Sequence, residues 1–186
     1  MGRISCSSSA PRDGSAWFLG KKDYPGTDHT HFDGPDDVAF GKSGEIYVAD
    51  GEGNSRVVEF DSDGHFLKEW GRKGSGEGEF RLPHTIATDA QGLVYVGDRE
   101  NARIQVFDLE GKFLTQWRDI GHPYGIFVSP DQHIWMAEGG RRSLSGPGDR
   151  SQWKSAGQLW DFRPRSGTAC WRTCPRCNGS ERDLRG

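Results

Sequence analysis

The sequence predicts an all-β fold: a partial β-propeller of four-stranded antiparallel blades, about two and a half of them, followed by an irregular tail. Three observations predict it. First, the segment Pro35 to Trp70 recurs as Pro83 to Trp117 with one gap. The alignment matches Tyr47 with Tyr95, Asp50 with Asp98, Asn54 with Asn101, Arg56 with Arg103, Phe60 with Phe107 and Gly64 with Gly111. Second, each copy holds four short alternating runs split by turn chemistry, the periodicity of strands rather than helices. Third, only 33% of the 186 residues are hydrophobic while 27 are glycine, a balance that favours short strands and many turns over packed helices. Four strands per unit at a period of roughly 40–48 residues is the pattern of a propeller blade.

The elements follow in chain order. Residues 1–16, beginning MGRISCSSSAPRDGS, show no apolar period and are predicted to be disordered. They lack the apolar core of a signal peptide, and no run approaches the roughly 18 apolar residues of a membrane span, so the chain reads as soluble, with no membrane partner. Blades are expected over residues 17–140. In the second copy the strands are predicted near Thr85–Thr88, Val94–Gly97, Arg103–Asp108 and Phe113–Trp117, with breaks at Ala90-Gln91-Gly92, Arg99-Glu100-Asn101 and Glu110-Gly111. The first copy has the same plan. A third opens at Pro123 as PYGIFVSPDQHIWMAEGG and stops matching near Gly140. Asp50, Asp98, Asn54 and Asn101 fall at corners, where such side chains bond local backbone.

Residues 141–186 are written differently, with no Val, no Ile, nine Arg and three of the seven Trp. Such a composition predicts no strands like the preceding ones. The abrupt change, where a third copy should continue, predicts a shifted reading frame and a tail that is not native sequence. Cys170, Cys174 and Cys177 have C-x3-C-x2-C spacing, but the second knuckle of a zinc ribbon is missing. Charge divides at the same boundary. Residues 1–140 hold 23 acidic and 14 basic side chains, net −9, and residues 141–186 hold 4 and 10, net +6. The acidic body argues against nucleic acid as a partner, because that needs a basic face. A blade needs neighbours on both faces, so an open arc of blades is predicted to self-associate through its exposed edges.

Blade topology singles out a candidate site. The start of the first strand and the turn between the second and third lie at one end of a blade, and the first strand is innermost. His84 therefore sits with the Arg99 corner at the mouth of a central channel. Two readings of each stay open at this point. His84 is a metal ligand or a hydrogen-bonded channel residue; Arg99 is a site residue or the ion-pair partner of Glu100 or of an acid on a neighbouring blade. His29 and His31 lie in a loop before the blade and read as structural, while His65, His122 and His133 fall at turns and read as solvated.

The copies resemble NHL repeats through IYVAD, RV-x-x-F and G-x-F-L-x-x-W. More narrowly, FLG (18–20), PGTDHTHF (25–32), PDDVAF (35–40), VADGEGNSRVVEF (48–60), LPHTIA (82–87) and DRENARIQVF (98–107) resemble the peptidylamidoglycolate lyases. That likeness spans a little over half of the chain. It implies a six-bladed ring and a peptide substrate ending in α-hydroxyglycine, split into a peptide amide and glyoxylate. It also implies zinc on the axis, held by P-H histidines from three blades. His84 then matches one zinc ligand, and Arg99 matches a catalytic, substrate-binding arginine that holds the carboxylate bidentately. Glu52 stands where the family has its tyrosine, and there is no second P-H motif. The catalytic set is therefore incomplete, and zinc is expected only in a complete parent ring, with calcium as a further candidate ion. The alternative is a non-catalytic NHL module that binds a protein or peptide.

Overall fold

The structure, a computed structural model, describes residues 19–21 and 23–139 together with the backbone of 159–162. Strands β1 (Pro35–Phe40), β2 (Ile46–Asp50), β3 (Arg56–Phe60) and β4 (Phe66–Trp70) form one sheet in sequential order. Strands β5 (Pro83–Thr88), β6 (Val94–Asp98), β7 (Arg103–Phe107) and β8 (Phe113–Arg118) form a second with the same order. The third holds β9 (Pro123–Val128), β10 (Ile134–Glu138) and β11 (Leu159–Phe162), with β10 in the centre. Neighbouring strands in every sheet are antiparallel. The strands of the second blade lie within two residues of the predicted runs.

Three of the hairpins share one turn chemistry. Asp61, Asp89 and Asp108 each accept two backbone N–H groups through Oδ1: from Asp63 and His65, from Gln91 and Leu93, and from Glu110 and Lys112. Each turn then closes on a glycine at positive φ, namely Gly64, Gly92 and Gly111. The carboxylate satisfies N–H groups that the reversal removes from the ladder, and glycine alone adopts that φ without strain.

Alternate residues on the strands face opposite neighbours. Ala39, Tyr47, Ala49 and Val57 of the first blade pack against Phe80, Ile86, Val94, Val96 and Phe107 of the second. Tyr95, Ile104 and Val106 pack in turn against Ile120, Ile134 and Met136 of the third. Full burial of one such Val, Ile or Phe contributes about 1.5–3 kcal/mol, so the seams between sheets hold the arc together. Polar latches fix the order of the innermost strands. Thr85 Oγ1 and Ile86 N donate to Asp37 Oδ2 at 2.9 and 3.0 Å, and Ile126 N donates to Thr85 Oγ1 at 3.0 Å. Strands β1, β5 and β9 therefore stand side by side.

The tail departs from expectation at one point. Residues 159–162 are not irregular: β11 pairs with β10, placing Phe162 opposite Ile134 and Leu159 opposite Ala137. The same pairings occur as Ile46 with Phe60 and Ala49 with Val57 in the first blade, and as Val94 with Phe107 and Gly97 with Ile104 in the second. LWDF holds three large apolar residues in four, enough strand propensity to satisfy the free backbone edge of β10. The Arg-rich composition of the whole tail hid that short run. The cysteine spacing and the predicted disorder of residues 1–16 lie outside the described residues. Among the described residues no helix is long and apolar enough to cross a membrane.

Candidate functional site at the inner strands

Each innermost strand carries a β-bulge one residue after its opening proline. Pro35 opposes Asp50 and Asp37 opposes Ala49, which leaves Asp36 unpaired. Pro83 opposes Asp98 and Thr85 opposes Gly97, which leaves His84. Pro123 opposes Glu138 and Gly125 opposes Ala137, which leaves Tyr124. Proline suits a strand's first position because it has no N–H to give to the ladder, and the bulge re-aims the side chain that follows. Three equivalent positions thus send their side chains to one place. His84 Nε2 lies 4.0 Å from Asp36 Oδ1, and the His84 and Tyr124 ring centroids are 5.0 Å apart.

Arg99 arrives from the turn between β6 and β7. That connection is a single 3₁₀ turn, Arg99–Asn101, ended by Ala102 in the left-handed region (φ 50°, ψ 48°). Arg99 N donates to Leu82 O at 2.8 Å, tying the corner to the residue before Pro83. The guanidinium carbon lies 5.1 Å from the Tyr124 ring centroid, within cation–π range, and Nε donates to Glu100 Oε1 at 3.2 Å. Arg99 thus pairs with Glu100, as one sequence reading expected, and also lies over the Tyr124 ring at the end of the inner strands. Its Nη1 and Nη2 take no part in the hydrogen bonds among the described residues. His122 is not merely solvated, as its turn position suggested. It is half-buried, and its Nδ1 lies 2.7 Å from the Arg99 carbonyl oxygen.

The mouth is electrically mixed. Burial pushes the Asp36 carboxyl above the ordinary carboxylate range; Glu52 and Asp50 push the same way, while His84 and Arg99 oppose. Glu52 sits against Gly34, whose carbonyl accepts its N–H at 3.2 Å. Among the described residues, Asp36 Oδ2 and His84 Nδ1 are buried without a hydrogen-bond partner, a condition that costs free energy and calls for an explanation. Gly51 makes the packing possible, because a Cβ there would strike Asp36 Oδ2 and the Pro83 carbonyl. The arrangement offers a cationic fork, an imidazole, a phenol and a carboxyl whose proton affinity burial raises to a ligand entering along the inner strands.

A resident zinc does not fit the described residues. His84 and Asp36 supply two donors, and no group of three His, Cys, Asp or Glu able to hold a metal occurs among the described residues. Tetrahedral zinc needs three or four such ligands. His29 and His31 lie elsewhere: His29 packs on Phe66 with ring centroids 4.8 Å apart, and His31 Nδ1 pairs with Asp28 at 2.8 Å. His65 Nδ1 pairs with Asp61 at 3.0 Å. Asp36 and Tyr124, which the sequence reading gave no part in the site, stand one residue after Pro35 and Pro123 as His84 does after Pro83. That shared repeat position was the signal.

The NHL repeat model matches residues 32–60 and 80–107, which include His84 and Arg99. The chain is 40% identical over 96 residues to the peptidyl-glycine alpha-amidating monooxygenase of Mus musculus, covering 48% of this chain and 10% of the mouse protein. It is 41% identical over 86 residues to a "probable peptidyl-alpha-hydroxyglycine alpha-amidating lyase" of Caenorhabditis elegans, covering 45% of this chain and 25% of that protein. The match therefore spans a quarter or less of these curated relatives. Among solved structures, the Kuenenia stuttgartiensis hydrazine synthase superposes with a TM-score of 0.50 at 18% identity, over 67% of this chain and 33% of that one. That likeness is one of fold. The chain carries NHL repeats arranged as blades of a β-propeller, and its relatives include peptidyl-α-hydroxyglycine amidating lyases.

Proposed function

We propose that this chain is a lyase-like NHL propeller unit that receives the carboxyl end of a peptide at the mouth formed by Asp36, His84, Arg99 and Tyr124. The observation that carries this reading is the state of Arg99. Its guanidinium rests on Tyr124, and among the described residues neither Nη atom takes part in a hydrogen bond, a fork whose geometry matches a carboxylate. The relatives named for the α-hydroxyglycine reaction support a peptide as the ligand. In that reaction the bond between the amide nitrogen and the hydroxyl-bearing carbon breaks. The hydroxyl gives up its proton, its carbon becomes the aldehyde of glyoxylate, and the nitrogen takes up a proton as peptide amide. In a complete ring Arg99 would hold the carboxylate and His84 would exchange a proton beside it; this chain is expected to keep only the binding part of that chemistry.

A second reading, binding without turnover, is favoured by Glu52, which puts a carboxylate where the lyase resemblance places a tyrosine. One titration series separates the two. A peptide ending in a free glycine carboxylate should bind the full chain, and its amide-capped form should bind about tenfold more weakly, a difference of about 1.4 kcal/mol. Arg99→Ala should erase that preference, and Arg99→Lys should restore only part of it, because lysine lacks the planar fork. An α-hydroxyglycine peptide should release no glyoxylate, with or without added zinc. Release that needs zinc and vanishes in His84→Ala would establish a working lyase. Equal affinity for the acid and amide peptides would sink the carboxylate reading itself.

A further inference from the structure

We propose that a second copy of this chain stacks on the arc, with the third blade of one copy covering the outward face of the first blade of the other. The blades stack in one direction. In each internal seam, the trailing face of one blade covers the leading face of the next. The seams between β1–β4 and β5–β8, and between β5–β8 and β9–β11, therefore show twice what belongs on a leading face. Among the described residues, the leading face of the first blade and the trailing face of the third have no such neighbour.

Leu19 and Phe32 already cover Ile46, Val48, Val58 and Phe60 on the outward side of the first blade, and burial at equivalent repeat positions marks what is left uncovered on the two terminal faces. On the leading side, Ile86 is 3% exposed while its counterpart Val38 is 48% exposed. Phe80 and Ile120 are wholly buried in their seams, whereas Phe32, at the same point of the first copy, is half-buried over Ile46, Val48, Val58 and Phe60. Pro83 and Pro123 are buried, and Pro35 is exposed. On the trailing side, Ala39 and Ala87 are both 8% exposed, but their counterpart Phe127 is 62% exposed. The size pattern is complementary. The first internal seam sets Ala39 in one cluster with Ile86, Ala87 and Ile126 stand at the same repeat positions of the next two blades, and the missing seam would set the large Phe127 against the smaller Val38. Close packing rewards such compensation.

The contact is head-to-tail rather than self-complementary, because each copy has one face of each kind. That makes the test sharp. Sedimentation velocity of the full chain over a concentration series should show association. Val38→Glu removes the leading face and Phe127→Glu the trailing face, each by burying a charge in an apolar seam. Both side chains are exposed in the single copy, so circular dichroism of each variant should match the parent. Each variant alone should stay monomeric, and an equimolar mixture of the two should recover a dimer through the one intact pair of faces. A parent that is monomeric at every concentration would mean that the faces are covered from within the chain and would overturn the proposal. So would association that survives either substitution, or variants that fail to pair when mixed.

Discussion

The most consequential single residues for the fold are two arginines inside strands. Arg103 is fully buried, and all five of its donors are used. Nε donates to Asp98 Oδ2 at 2.9 Å, Nη1 to Ser75 O and Gln116 Oε1, and Nη2 to Gly76 O and Glu79 O. Arg56 repeats the pattern on Asp50, Glu69 and the carbonyls of Thr27, Asp28 and His31. Each guanidinium thus clasps the loop that leads into its blade. Lysine offers three donors and cannot replace five, so Arg103→Lys should lose most of what Arg103→Ala loses. The alanine variant strips the buried Asp98 carboxylate of its counter-charge, leaving it only the donors Arg81 N, Leu82 N and Asn101 Nδ2, and should cost about 3–5 kcal/mol in urea unfolding. A lysine variant within about 1 kcal/mol of the parent would refute the clasp, since that is the spread of an exposed ion pair. The aligned Asp, Asn and Arg were all visible in the repeat, and the two aspartates do bond backbone, at Asp33 N and Arg81 N. What the chain's pattern could not show was that the arginines point inward, because a charge on an alternating strand ordinarily faces water.

At the scale of the element, the strands were legible because alternation and Asp-Gly turns repeat in register, and the bulges were not. A bulge shifts pairing by one residue without changing composition, so nothing local to Pro83-His84-Thr85 announces it. Only the shared position of Asp36, His84 and Tyr124 in three copies hinted that their side chains converge. The strand after the bulge is equally constrained from behind. A Cβ on Gly97 would collide with Thr85 Cγ2 and lie 3.0 Å from Pro123 Cβ, in the place where Thr85 latches β1 on one side and β9 on the other. Gly97→Ala should therefore destabilise by about 1–3 kcal/mol through overpacking. Thr85→Ser keeps the hydroxyl and removes the clashing methyl, so the double variant should recover part of that loss. A double-mutant cycle by chemical denaturation reads the coupling. Additive costs would mean that the methyl is not what Gly97 accommodates.

At the scale of the whole molecule, the arc was legible as repeats with a period, but the balance of charge across its seams was not, because it depends on which acids the stacking buries. Glu59 is the clearest case. Burial pushes its carboxyl above the ordinary range, and Lys68, 3.5 Å away, opposes that shift without cancelling it. Lys68 also donates to Leu109 O at 2.6 Å, so it spans the first seam rather than serving Glu59 alone. A carboxyl whose value is raised on folding contributes stability below the unfolded-state value, about 4.3 for glutamate, and loses it as pH rises through the raised one. Once pH passes that raised value, the fold bears the cost of a charged Glu59 in a buried seam. Glu59→Gln keeps the shape and an acceptor for the Tyr47 hydroxyl, which now reaches Oε1 at 3.4 Å, and it removes the charge. Denaturant unfolding at neutral pH should find the glutamine variant more stable than the parent, with the gap closing as pH falls toward and below the unfolded glutamate value. The opposite order at neutral pH, again converging in acid, would show that attraction to Lys68 outweighs burial. The first seam would then be held by an ion pair rather than strained by one.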